Sequence, residues 1–239
     1  MRQILRFVLP TLAIWLITQS LAFGVLLAWD PTIDFDTENN PQLSGFWSYG
    51  WVSKEDFNAG GYGLTLFDTV RTWNSLIHWG IPSSTEPAVL YNPDPANYHP
   101  FGNNVAPLTV ALHPGASDEK ATVEWTAPEA GIVSIVGAFF ACQWGYPTVD
   151  THVMHNGISI FDSTLWGGTS ELTEDPFSLL LTVAEGDKID FAVGHGGNGY
   201  NWDATNFRVQ IIKVSEPGSL LIIGNGLLAF MVAVVRRRR

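Results

Sequence analysis

Cysteine is almost absent from this chain: Cys142 is the single one in 239 residues. One thiol cannot close an internal disulfide, and zinc-ribbon or iron–sulfur sites need several thiolates, so neither framework holds the fold together. Charge is also sparse, at 15% Asp, Glu, Lys and Arg, and it is lopsided, with 12 basic against 23 acidic residues. Six cations (Arg2, Arg6 and Arg236 to Arg239) stand at the extreme ends, leaving six basic and 22 acidic residues between Asp30 and Ser215, a net −16. Binding a phosphate backbone needs a basic face, so nucleic acid is excluded as a partner. An acidic body between basic ends is instead the charge pattern of membrane topology.

The ends carry that topology. Met1-Arg2-Gln3-Ile4-Leu5-Arg6 precedes an uncharged apolar run from Phe7 to Ala28, with small residues Ala22, Gly24 and Ala28 ahead of Asp30. Basic start, apolar middle and small-residue exit are the parts of a signal peptide, assigned to residues 1–28. The same run would also span a bilayer as an uncleaved anchor. At the other end an apolar segment, Ser219 to Val235, is followed by Arg236-Arg237-Arg238-Arg239. It is expected to be a transmembrane helix of roughly 25 Å, with arginines held inside and the acidic body outside.

Ser215-Glu216-Pro217, the short apolar helix and the arginine cluster (Arg236, Arg237, Arg238, Arg239) occur in that order over residues 215–239. Together they resemble the PEP-CTERM sorting signal of Gram-negative bacteria, with serine standing where the first proline usually is. The resemblance implies an exosortase as processing partner, residence in the inner membrane before processing, and then a cell-surface or extracellular location linked to exopolysaccharide or biofilm. A plain tail anchor is the alternative.

Between the ends, residues 30–213 are expected to form one all-β domain, an antiparallel β-sandwich of jelly-roll type. Short apolar or alternating runs read as strands at Leu108–His113, Ala121–Thr126, Ile132–Phe140, Val149–His155, Ile158–Phe161, Phe177–Val183, Lys188–Val193 and Phe207–Val214. Phe177, Leu179, Leu181 and Val183 alternate, as do Ile189, Phe191 and Val193, so each run buries one face at a period of two. Asn156-Gly157 reads as a tight hairpin. Residues 30–106 are expected to contribute an edge strand pair and loops wrapped over the sandwich. The prolines and asparagines from Pro82 to Pro107 exclude a central helix or strand there.

Val123-Glu124-Trp125-Thr126-Ala127-Pro128, Asp150 to Gly157, Phe177 to Asp187 and Ile189-Asp190-Phe191-Ala192-Val193-Gly194 resemble a secreted jelly-roll module of surface proteins from cyanobacteria and planctomycetes. Asn40-Pro41 and Trp47-Ser48-Tyr49-Gly50 resemble its start. The module is similar in fold to carbohydrate-binding modules, although fold alone does not carry function.

No catalytic residue is assigned. A Gly-x-Ser-x-Gly turn is missing, and Cys142, within Phe139-Phe140-Ala141-Cys142, reads as a packed thiol. Carboxylate pairs such as Asp118-Glu119 and Glu174-Asp175 read as solvated turns. His152 and His155, three apart on one strand, point to opposite faces and make poor joint zinc ligands. Gly194-His195-Gly196-Gly197-Asn198 through Asp203 is a loop type that supplies oxygens to Ca²⁺, with Asn198, Asp203 and Asp150 as candidates, or that only hydrogen-bonds to itself. Ten tryptophans exceed the need of one core. Trp144, Tyr146, Trp166, Tyr200 and Trp202 lie beside small residues, where exposed rings stack on sugars or cap the sandwich ends. The expected function is therefore non-catalytic binding of extracellular polysaccharide, or a structural role beside it. A neutral or calcium-bridged glycan is favoured by the acidic body, and a polysaccharide hydrolase or lyase is the rival.

Overall fold

The computed structural model describes residues 27–60, 63–73, 75–95, 99–100, 104–142, 148–166 and 173–214. The signal-peptide run, the sorting signal with its transmembrane segment, and Trp144 and Tyr146 lie outside them. Among the described residues no helix is long and apolar enough to cross a membrane.

Sixteen strands and one short helix make up the described chain: β1 (Ala28–Trp29), β2 (Trp47–Val52), α1 (Lys54–Asn58), β3 (Thr65–Leu66), β4 (Thr69–Trp73), β5 (Leu76–Gly80), β6 (Ala88–Asn92), β7 (His99–Pro100), β8 (Asn104–Val105), β9 (Thr109–His113), β10 (Lys120–Thr126), β11 (Gly131–Ala141), β12 (Thr148–His155), β13 (Ile158–Trp166), β14 (Glu174–Val183), β15 (Lys188–Gly194) and β16 (Thr205–Val214). Sheet A runs β14-β11-β16-β9-β6-β5-β4, with β1 also on β16; sheet B runs β13-β12-β15-β10-β2-β3; β7 and β8 form a separate pair. From β9 onward every connection except the β12–β13 hairpin crosses from one sheet to the other, which gives an antiparallel sandwich of the jelly-roll kind.

The alternation read from the sequence is what packs the two layers. Phe177 of β14 and Phe207 of β16 on sheet A meet Phe191 of β15 on sheet B, with centroids 6.0 and 5.0 Å away, and Phe139 of β11 packs against both, 5.6 Å from Phe177 and 5.2 Å from Phe207. Trp47, Tyr49 and Trp125 join the same buried core. Full burial of each such ring stabilises the fold by about 2–3 kcal/mol, so this cluster alone fixes the inward register of four strands. Asn156 and Gly157 both have positive φ, 51° and 78°, as a tight β12–β13 hairpin requires.

The lead-in half departs from the sequence expectation. β2 is no edge strand: it lies between β10 and β3, with Val123 opposite Tyr49. β6 is a central strand inside the proline-rich stretch, paired to β5 and β9. Five proline-free residues between Pro87 and Pro93 are enough for a strand that hydrogen-bonds on both sides. Glu174 and Asp175 open β14 instead of forming a turn, and β13 runs on to Trp166, so that indole stands on a strand end. Cys142 is fully buried, and burial pushes its thiol pKa up.

Candidate functional site

On the outer face of sheet A, strand registers build a groove of about 820 Å³. Val136 lies between Ser178 and Gln210, and Ala138 between Pro176 and Arg208, so both point away from the core with these neighbours. The groove exists because β16 shares one edge between two strands. β9 pairs with Thr205 to Phe207 and β1 with Ile211 and Ile212, leaving Arg208 to Gln210 unpaired on that side. Asp30 and Thr32, just after β1, and Leu108, just before β9, line the gap. The floor is apolar (Val136, Ala138, Pro176, Leu108), and Asp30, Thr32, Glu174, Ser178, Arg208 and Gln210 supply donors and acceptors around it. Beneath, Gly137 has no room for a side chain: a Cβ would sit 2.5 Å from both the Phe177 ring and the Arg208 carbonyl.

Arg208 is held from one side only. Its guanidinium carbon lies 5.2 Å from the centroid of Phe140, a cation–π contact between two residues that line the groove. Asp30 accepts the Thr32 amide at 2.8 Å, which orients its carboxylate at the rim.

Of the residues singled out in the sequence, those described lie elsewhere, on β12, at the end of β13 and in the β15–β16 loop. Trp166 is 65% exposed opposite Thr148, and Trp202, with φ of 75°, is 57% exposed. A Cβ on Gly196 would lie 2.3 Å from the Thr148 carbonyl, so the glycine loop presses against the strand pair that ends in Trp166. Tyr200 is half-buried and sits edge-on to His113 at 6.2 Å. Asn198, with its amide oriented to satisfy its neighbours, donates to the His195 carbonyl at 2.9 Å and accepts from Thr148 Oγ1, so it ties the loop to itself and to β12.

The calcium candidates share this neighbourhood, but Asp150 is already engaged. Its Oδ2 accepts Lys120 Nζ and His152 Nε2, the latter at 2.7 Å, and its Oδ1 accepts the Gly196 amide at 2.8 Å. Burial alone would raise the Asp150 pKa, yet the His152 hydrogen bond, the Lys120 charge and hydrogen bond and the Gly196 amide hold it well below the carboxylate range. His152 Nδ1 meets Asp162 at 2.6 Å, Lys120 also donates to Asp118, and Phe57 of α1 covers the chain, 4.7 Å from the His152 ring and 5.4 Å from Lys120 Nζ. His155 bonds a separate carboxylate, Asp187. Asp203 is fully buried, and neither of its oxygens closes a hydrogen bond of normal geometry. Burial, together with the Asp150 charge, pushes its carboxyl up to about 8 against the pull of the Thr148 amide. Among the described residues no group of three or more His, Cys, Asp or Glu is set to hold a metal ion. Ca²⁺ at Asp150 would have to displace an ammonium and an imidazole.

No protein-family model matches this chain, and no curated protein matches it. Among solved structures it is similar to the CBM51 module of a Clostridium perfringens GH95 protein in complex with methyl-galactose, at 11% identity over 62% of this chain and 95% of that one, TM-score 0.34. It is also similar to a family 35 carbohydrate-binding module from Clostridium thermocellum, at 11% identity over 70% of this chain and 99% of that one, TM-score 0.28. Murine APRIL matches at 11% identity over 46% of this chain and 92% of that one, TM-score 0.29. Scores this low carry no assignment of ligand.

Sequence reasoning missed the groove altogether. Its makers, Val136, Ala138, Phe140, Pro176, Arg208 and Gln210, come from strands whose pairing no local pattern announces. The one available signal was Arg208, a charge inside the alternating run Phe207-Arg208-Val209-Gln210-Ile211.

Proposed function

We propose that this protein is a non-catalytic glycan-binding β-sandwich of the cell surface, exported by its N-terminal run and sorted through its C-terminal segment. The observation that carries the binding reading is the groove on sheet A. An apolar floor with six polar side chains around it matches the two surfaces of a pyranose ring, its C–H face and its hydroxyl edge. The test is a panel of neutral and acidic oligosaccharides offered to the full chain in mild detergent, with the products analysed. Saturable retention without new reducing ends is expected. Release of shortened product would transfer the protein to the hydrolase or lyase class.

Export and sorting rest on the sequence order of parts. Leu27 O accepts the Lys213 amide at 2.9 Å and Ala28 pairs with Ile212, so removal of the leader after Ala22 or Gly24 leaves β1 whole, whereas a cut after Ala28 leaves only Trp29 of it. If an exosortase processes the tail near Pro217, intact mass of protein from the cell surface lacks Arg236 to Arg239. A mature form that keeps Arg239 would identify a plain anchor.

A further inference from the structure

We infer that the sheet A groove selects a carboxylate-bearing sugar, an acidic glycan residue, through Arg208; this rests on the glycan-binding reading above. The body holds six cations, and five are committed to partners within the fold. Lys54 pairs with Asp118 at 3.3 Å, Lys120 with Asp118 and Asp150, Lys188 with Glu124 and Lys213 with Glu129 at 2.6 Å. Arg71 donates to the carbonyls of Ser84 and Ile81. Among the described Lys and Arg residues Arg208 alone has neither a carboxylate nor a carbonyl partner, and it lines the sheet A groove beside Phe140. In a body of net −16, an uncommitted guanidinium there is a specific feature.

The chemistry of the groove fits one anionic group together with hydroxyls. A planar guanidinium matches a carboxylate through two parallel hydrogen bonds, and the Phe140 ring 5.2 Å away packs against one side of it. Asp30 and Glu174 are acceptors for sugar hydroxyls, while Gln210, Ser178 and Thr32 can serve either way. The acidic body does not overrule this. Exposed charges farther away than the Debye length of about 8 Å are largely screened at physiological ionic strength, whereas the guanidinium acts at contact. Long-range repulsion slows approach of an acidic polymer, and at contact Asp30 and Glu174 in the same groove turn the anionic group away from their side and toward Arg208.

The test is calorimetric titration of the full chain with short oligomers of galacturonate, glucuronate and mannuronate, each beside its methyl ester and the matching neutral oligomer. At least one acid is expected to bind tenfold or more tightly than its ester. Arg208→Gln should erase that preference, and Arg208→Lys, which keeps the charge and loses the fork, should retain part of it. Arg208 is exposed on a strand, so unchanged melting curves will show that both variants fold. Equal affinity for acids and esters, or a preference that survives Arg208→Gln, overturns the carboxylate and leaves glycan binding standing. Failure of every oligomer to bind overturns both.

Discussion

Gly194 shows how a single residue carries a whole network. Lys120 on β10 reaches Asp150 on β12 by crossing over β15 at this glycine, and a Cβ there would lie 2.1 Å from Lys120 Nζ and 2.4 Å from Asp150 Oδ1. Gly194→Ala therefore expels the ammonium from between Asp118 and Asp150 and strands a shielded carboxylate. A loss of about 3–5 kcal/mol is expected, read from the denaturant midpoint. Asp203 makes the opposite kind of statement. Its folded pKa lies above the unfolded value, so its contribution to stability is full below about pH 4, falls as pH rises toward about 8 and is absent above. Asp150 and Asp118, whose pKa values are lowered, contribute above the ordinary carboxylate range and lose that contribution as pH falls below it. Asp203→Asn is expected to remove the decline between pH 4 and 8 and to raise the melting temperature at pH 8 by several degrees. A melting curve with the same pH dependence as wild type would contradict the buried, proton-bearing carboxyl. From the sequence, Asp150, Asn198 and Asp203 were legible as neighbours because a glycine loop draws its own ends together. Lys120, 30 positions from Asp150, was not, since only strand pairing brings those two together.

At the scale of strands, the second half of the body was legible because period-two alternation and turn chemistry agree there. All eight runs read from the sequence are strands, with ends that coincide or are displaced by up to five residues. The first half failed for a physical reason: proline was read as excluding a central strand over the 26 positions from Pro82 to Pro107, whereas it acts only on its own and adjacent residues. β6 occupies the interval that this leaves. Gly137 tests the strand packing beneath the groove. Gly137→Ala puts a methyl against the Arg208 carbonyl on β16 and the Phe177 ring on β14, so β11 must separate from a neighbour. A destabilisation of about 1–3 kcal/mol is expected, with weaker glycan binding because the groove floor shifts. Unchanged stability would mean that the three strands give way freely at this point.

For the whole molecule, charge and shape divide the work. Acidic surface surrounds a sandwich whose cations are almost all consumed by internal pairs, and the one that remains faces a groove on sheet A. The exposed indoles Trp166, at the end of β13, and Trp202, in the β15–β16 loop, stand elsewhere and offer competing sites. One comparison separates the two: titration of the glycan that binds wild type into Val136→Trp and into the double variant Trp166→Ala, Trp202→Ala. Val136 is 51% exposed in the groove floor, so an indole there blocks the site without entering the core. A groove site predicts at least a tenfold loss of affinity in Val136→Trp and near-wild-type affinity in the double variant. The reverse pattern would contradict it and move the binding site to the aromatic end of the sandwich.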